Sequence, residues 1–61
     1  MQTQSRIRDT INRHRYRQHM YAVEAQVQEL RAEIERASYY RTLADNERQA
    51  VASLERLMGR A

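Results

Sequence analysis

The 61-residue sequence has no cysteine, proline, phenylalanine or tryptophan, and its one glycine is Gly59. Without cysteine, the chain cannot form the disulfides or thiolate metal sites that small proteins often use in place of a large core. Because proline and glycine are the residues that interrupt helices, almost nothing in the chain opposes helix formation. Strongly apolar residues are scarce, with four Leu, three Ile and three Val, so one copy has little material for a core.

Long apolar runs are also absent. The longest run, residues 20–23, is far shorter than the roughly 20 residues that span a bilayer, and residues 2–10 do not resemble a signal peptide. We therefore expect no membrane partner and a protein that stays in the cytoplasm, or inside a virion if it is viral.

What the sequence does contain is typical of long helices. Ala, Glu, Leu and Arg number 8, 6, 4 and 11, together close to the roughly half expected of helical bundles and coiled coils. The predicted fold class is all-α. Because one copy is poor in apolar residues, we expect a homo-oligomer, with a dimer favoured, that forms a small bundle such as a four-helix bundle.

The most regular apolar pattern lies in residues 20–37, where the spacing of 3, 4, 3, 4 and 3 places six residues on one stripe of a helix. They are Met20, Val23, Val27, Leu30, Ile34 and Ala37. A second series, Leu43, Ala50, Leu54 and Leu57, is one residue out of step with the first. This change of phase predicts a helical hairpin rather than one continuous helix.

We place the turn of the hairpin near residues 40–45. Ser38, Tyr39 and Tyr40 are poor helix formers, and Thr42 with Asp45 resembles a capping box. The prediction is a first helix over about 6–39 and a second over about 43–58, ending at Gly59 as the residue after the helix. The alternative is a single long helix in a coiled coil, because Ala44, Val51 and Met58 keep the phase of Ala37.

The sequence predicts one helical domain over residues 1–61, with a packing body at 20–58 and a basic N-terminal arm at 1–18 that projects beyond the paired region. A row on the arm, Ile7, Ile11, His14, Gln18 and Tyr21, is expected to give only a short secondary contact. The core of the hairpin or oligomer is predicted to consist of Met20, Val23, Val27, Leu30, Ile34, Leu43, Val51, Leu54 and Leu57.

The arm carries the clearest functional signal. Residues 1–20 contain five arginines against Asp9 alone, whereas the rest of the chain is nearly neutral. Arginine forms forked contacts with phosphate, and arginine-rich helices that bind RNA are a known class. We therefore expect nucleic-acid binding, with regulation as a candidate purpose and with contacts from Arg6, Arg8, Arg13, Arg15 and Arg17.

Two alternatives remain open. The arm could bind an acidic protein surface, with the chain acting as an adaptor, co-chaperone or inhibitor through exposed Ile7, Ile11, Met20 and Tyr21. The chain could also be a structural component of a larger, phage-like assembly. We expect no enzyme, cofactor or small-molecule substrate, because there is no catalytic motif. No metal site is expected either, since His14 and His19 are five residues apart and cannot chelate as an i, i+4 pair would.

Overall fold

The chain folds into two long antiparallel helices. The structure, a computed structural model, describes the backbone of residues 2–60 and the side chains of residues 3–59; Met1 and Ala61, which the predicted domain includes, lie outside the described residues. Helix α1 runs over Gln2–Leu30 and helix α2 over Ile34–Arg60. They pack side by side in a hairpin 46 Å long and 14 × 10 Å across. The predicted helical hairpin is confirmed.

The turn consists of residues 31–33 and closes α1 with a Schellman motif. The Glu33 amide donates to the Gln28 carbonyl (2.8 Å), and the Ala32 amide donates to the Glu29 carbonyl (2.9 Å). This pattern needs a left-handed residue after the helix, and Ala32 takes that conformation with φ at 59°. The Glu33 carbonyl then accepts from the Ala37 amide (2.9 Å), so that only three residues separate the end of α1 from the start of α2.

The predicted turn near residues 40–45 is therefore wrong, and the two predicted helix ranges are wrong with it. Thr42 does not cap a helix; its hydroxyl donates to the Ser38 carbonyl within α2 (3.1 Å), as threonine often does in a helix interior. Gly59 is likewise inside α2 rather than after it. Acidic Glu33 and Glu35 lie at the true start of α2, where a negative charge complements the helix dipole.

The face of α1 that packs against α2 is the row expected to make only a short secondary contact. Ile11 and Ala25 are buried, as is the polar Gln28, and the other members of this row are half-buried. The whole row has heptad spacing and consists of Ile7, Ile11, His14, Gln18, Tyr21, Ala25 and Gln28. Residues 7–18 thus pack along α2 and do not project as a free arm.

The matching face of α2 keeps the phase of Ala37, which is buried together with Val51. It consists of Ala37, Tyr40, Ala44, Glu47, Val51, Leu54 and Met58. This is the stripe that the single-helix alternative required, now used within a hairpin. Only four hydrophobic residues of the described chain are buried, and no large side chain is fully enclosed, so the hairpin core is thin.

Of the nine residues predicted for the hairpin or oligomer core, only Val51 is buried, and Val27, Leu43 and Leu54 are half-buried. The other five are exposed to solvent: Met20 (45%), Val23 (40%), Leu30 (88%), Ile34 (69%) and Leu57 (51%). These five are not part of the hairpin core. The nine residues were predicted for the core of the hairpin or of an oligomer. For these five, burial in an oligomer stays a prediction.

Candidate interaction surfaces

The two sides of the hairpin differ in chemistry. In an antiparallel helix pair, the residues that follow the packing positions on both helices line one side, and the residues that precede them line the other side. We call the first side the charged face. Its rows repeat every seven residues: Arg8, Arg15, Ala22 and Glu29 on α1, and Ile34, Arg41, Arg48 and Glu55 on α2.

Ion pairs cross the charged face. Arg15 Nη2 lies 3.4 Å from Glu55 Oε2, Arg41 pairs with Glu29, and Arg48 Nε donates to Asp45 (3.0 Å) within α2. A shallow groove of about 410 Å³ opens between the helices here, floored by Ala22, Ala25 and Ala44. Because its arginines and carboxylates are paired with one another, the groove has no excess charge with which to attract an ionic ligand.

The opposite side carries apolar residues from both helices, and we call it the apolar face. Its side chains range from half-buried to strongly exposed. By position it includes Met20 and Val27 on α1 and Leu43, Ala50 and Leu57 on α2, together with Arg6 and Arg13, whereas Val23 and Leu30 lie on the back of α1, away from α2. These apolar residues are most of the two apolar series visible in the sequence, and the hairpin leaves both series on the outside.

The five N-terminal arginines divide into two groups. Arg15 pairs with Glu55, and Arg17 Nη1 lies 3.8 Å from Glu47 Oε1. Arg6, Arg8 and Arg13 are exposed, and none has a carboxylate within ion-pairing distance among residues 3–59. The structure therefore leaves three, not five, of the predicted contact residues without a competing acid.

A polar layer crosses the hairpin at the level of these arginines. His14 Nδ1 contacts Glu47 Oε2, and both side chains are mostly buried, with 23% and 16% of their surface exposed. Arg17 approaches the other oxygen of the same carboxylate. The sequence predicted only a short secondary contact for the row that contains His14, and it did not single out Glu47. Glu47 lies seven residues after Tyr40, at the heptad spacing of the packing row on α2, and this spacing could have placed Glu47 between the helices.

Charge is distributed unequally along the hairpin axis. At the open end, opposite the turn, residues 1–20 hold five arginines against Asp9, and residues 44–61 hold three arginines against three acids. That half has a formal charge of +4. Residues 21–43, which form the turn half, hold three arginines against four glutamates, a charge of −1. The open end therefore attracts anions more strongly than the turn end does.

The residues expected to bind a protein partner are mostly inside the hairpin. Ile11 is buried and Ile7 is half-buried between the helices. Tyr21 stacks on Tyr40 with ring centroids 6.4 Å apart, and Tyr39 meets the edge of Tyr40 at 5.5 Å. Of the four candidates, only Met20 remains largely exposed, so an adaptor surface built on Ile7 and Ile11 is not available.

Comparison with known protein families, with curated proteins and with solved structures finds no match for this chain. Neither helix, over the residues that the structure describes, contains an apolar stretch long enough to cross a membrane. Within the same part of the chain, no group of three or more His, Asp or Glu side chains is placed to hold a metal ion. Function has to be argued from the surfaces themselves.

Proposed function

We propose that the chain is a non-enzymatic helical oligomer, most simply a dimer, that binds nucleic acid through the arginines at the open end of the hairpin. The observation that carries the proposal is the exposure of Arg6, Arg8 and Arg13 without carboxylate partners on an already folded helix. Phosphate contacts supply most of the affinity of such proteins. The cytoplasm, or a virion if the protein is viral, is where we place this activity.

The packing of α1 against α2 favours this function. An arginine-rich helix that is ordered only on binding loses conformational entropy at that moment, whereas α1 is held in place by Ile11 and the His14–Glu47 layer. Tyr16, 66% exposed, lies among the arginines and offers a ring on which an unpaired base can stack.

The experiment is the salt dependence of binding, measured by fluorescence anisotropy with a generic duplex oligonucleotide at several salt concentrations. Each phosphate contact contributes a slope of about −0.9 to log K against log salt. With three free arginines we expect a slope of about −2.7 per chain, rather than the roughly −4.5 that five contacts would give. An affinity that is indifferent to salt would overturn the proposal.

A pair of matched variants locates the contact. R6A/R13A removes two free arginines at the open end, and we expect the slope to become less steep by about 2. R31A/R36A removes the same charge from exposed positions near the turn and is expected to leave the slope nearly unchanged. If both variants change binding equally, the attraction comes from net charge alone and the open end is not a site.

A further inference from the structure

Tyr16 differs from the other three tyrosines in its surroundings. Tyr21, Tyr39 and Tyr40 pack against one another, with ring centroids 6.4 and 5.5 Å apart. Tyr16 has no aromatic partner in the described part of the chain, and 66% of its surface is exposed. It lies two residues from both neighbouring positions of the packing row on α1, which places it on the side of the helix away from α2. The hairpin therefore leaves this ring free to stack on another molecule.

The surface around this ring is basic and polar. On a helix, the side chains three and four residues away are the surface neighbours, and for Tyr16 they are Asn12, Arg13, His19 and Met20, all exposed. Arg13 is one of the arginines without a carboxylate partner among residues 3–59. Helix α1 has no acidic residue between Asp9 and Glu24. A phosphate beside the ring thus meets no carboxylate of this helix within roughly 10 Å along its axis.

An exposed ring beside a free arginine suits an unpaired nucleotide better than a base pair. In a duplex, neighbouring bases cover both faces of each base, and proteins read the base edges mainly with arginine, lysine, amide and carboxylate side chains. A single strand offers its bases and its phosphates to the same surface, and the bases stack on aromatic side chains. Each such stacking contact is worth roughly 5- to 150-fold in affinity.

We propose that Tyr16 and Arg13 bind an unpaired nucleotide of a single-stranded nucleic acid. The base stacks on the Tyr16 ring, and the Arg13 guanidinium binds the phosphate. His19, one turn further along α1, offers a second ring for the adjacent base, and Arg6 and Arg8 contact phosphates towards the open end. The inference rests on the proposed function, which it narrows from nucleic acid in general to single strands. DNA and RNA share the chemistry that this site uses.

The test is fluorescence anisotropy at one fixed salt concentration with labelled oligo(dT) and oligo(rU), which stay unpaired, and with a duplex of the same length. The wild-type chain should bind both single strands more tightly than the duplex. Y16A should weaken single-strand binding by roughly 5- to 150-fold and change duplex binding by less than about twofold. The salt slope should stay the same, because no charge is removed.

Two further variants separate the ring from its position. Y16F keeps the ring and should bind single strands as the wild type does. The matched control is Y39A, which removes a tyrosine of similar exposure (61%) in the turn half of the hairpin and should leave single-strand binding unchanged. Circular dichroism should show all variants to be helical. Y16W introduces a tryptophan into a chain that has none, and its emission should be quenched by single strands and not by the duplex.

The outcomes separate this inference from the proposed function. If Y16A leaves single-strand binding unchanged, or weakens single-strand and duplex binding equally, the inference is wrong while the arginine contacts stand. A wild-type preference for the duplex, or an equal loss in Y39A, overturns it in the same way. A wild-type chain that binds neither single strands nor duplex overturns the proposed function together with this inference.

Discussion

Ala32 occupies a position where glycine is the usual residue. The left-handed conformation costs a residue with a Cβ roughly 1–2 kcal/mol, and the Schellman motif imposes that conformation after Leu30. The chain tolerates this cost because the two bonds of the motif satisfy carbonyls at the end of α1 that would otherwise lack partners. A small amount of stability is therefore given up at the turn.

We predict that A32G raises the free energy of unfolding by about 0.5–1 kcal/mol. The strain relieved is partly offset by the greater freedom of glycine in the unfolded chain. Urea denaturation followed by circular dichroism, at one fixed protein concentration, measures the change. The control is A52G at an exposed position inside α2, which should instead cost up to about 1 kcal/mol. A loss of stability in both variants would mean that Ala32 is not left-handed in solution.

Gln28 is the other residue that the hairpin holds at a cost. It is 6% exposed, and its amide nitrogen donates to Glu24 Oε1 at 3.0 Å. Its amide oxygen finds no hydrogen-bond partner in the described part of the chain. A buried acceptor left unpaired costs about 1–3 kcal/mol. The residue is therefore a target for stabilisation.

Gln28→Met keeps the length of the side chain and removes both polar atoms. We expect the free energy of unfolding to rise by about 1 kcal/mol, because the unpaired oxygen is lost and the methionine packs in its place. Thermal denaturation should show the increase, while Gln26→Met at an exposed neighbouring position should change stability by less than about 0.5 kcal/mol. Equal effects in the two variants would contradict the assignment.

At the scale of the helices, the inner face of α1 is unusually polar. His14, Gln18 and Gln28 occupy three of its seven packing positions, and the His14–Glu47 contact lies in the middle of the interface between α1 and α2. Polar pairs of this kind are worth little net stability against apolar residues, but removing one partner leaves the other unpaired. The layer therefore opposes other alignments of the two helices more than it stabilises this one.

We predict opposite outcomes for breaking and for replacing this layer. E47A should lower the free energy of unfolding by about 1–2 kcal/mol, because it leaves His14 and Arg17 without their carboxylate. H14L/E47L should be at least as stable as the wild type. Urea denaturation gives both values, with E55A as the exposed control, expected within about 0.5 kcal/mol of wild type. A leucine pair less stable than E47A would show that the polar contact itself drives packing.

At the scale of the whole molecule, the hairpin could be predicted from the sequence but its interior could not. The absence of proline and the two apolar series were sufficient for paired helices. The turn gave no signal, because Ala32 adopts a conformation usually reserved for glycine or asparagine. The interior was misplaced because periodicity measures how apolar a stripe is and not what covers it. The stripe around Val23 is more apolar than the true interior around His14 and Gln18.

The candidate site shows the same limit. The positions of the basic residues on α1 follow from sequence spacing alone, and their exposure agrees with that pattern. Sequence spacing does not reveal which of these arginines lack an acidic partner, because Glu47 and Glu55 reach Arg17 and Arg15 only after α2 folds back. Tertiary pairing, which no local pattern encodes, reduces five candidate contacts to three.

The three-residue turn has a consequence for how the molecule opens. Each contact between α1 and α2 closes a loop of chain that contains the turn at residues 31–33. The number of residues in that loop grows with the distance of the contact from the turn. Tyr21–Tyr40 encloses few residues, whereas His14–Glu47 joins residues 33 apart. Longer closed spans release more chain entropy on opening, although each doubling adds only about 0.6 kcal/mol. We therefore expect the hairpin to open first at the end that bears the arginines, and an anion that contacted both helices there would oppose this opening.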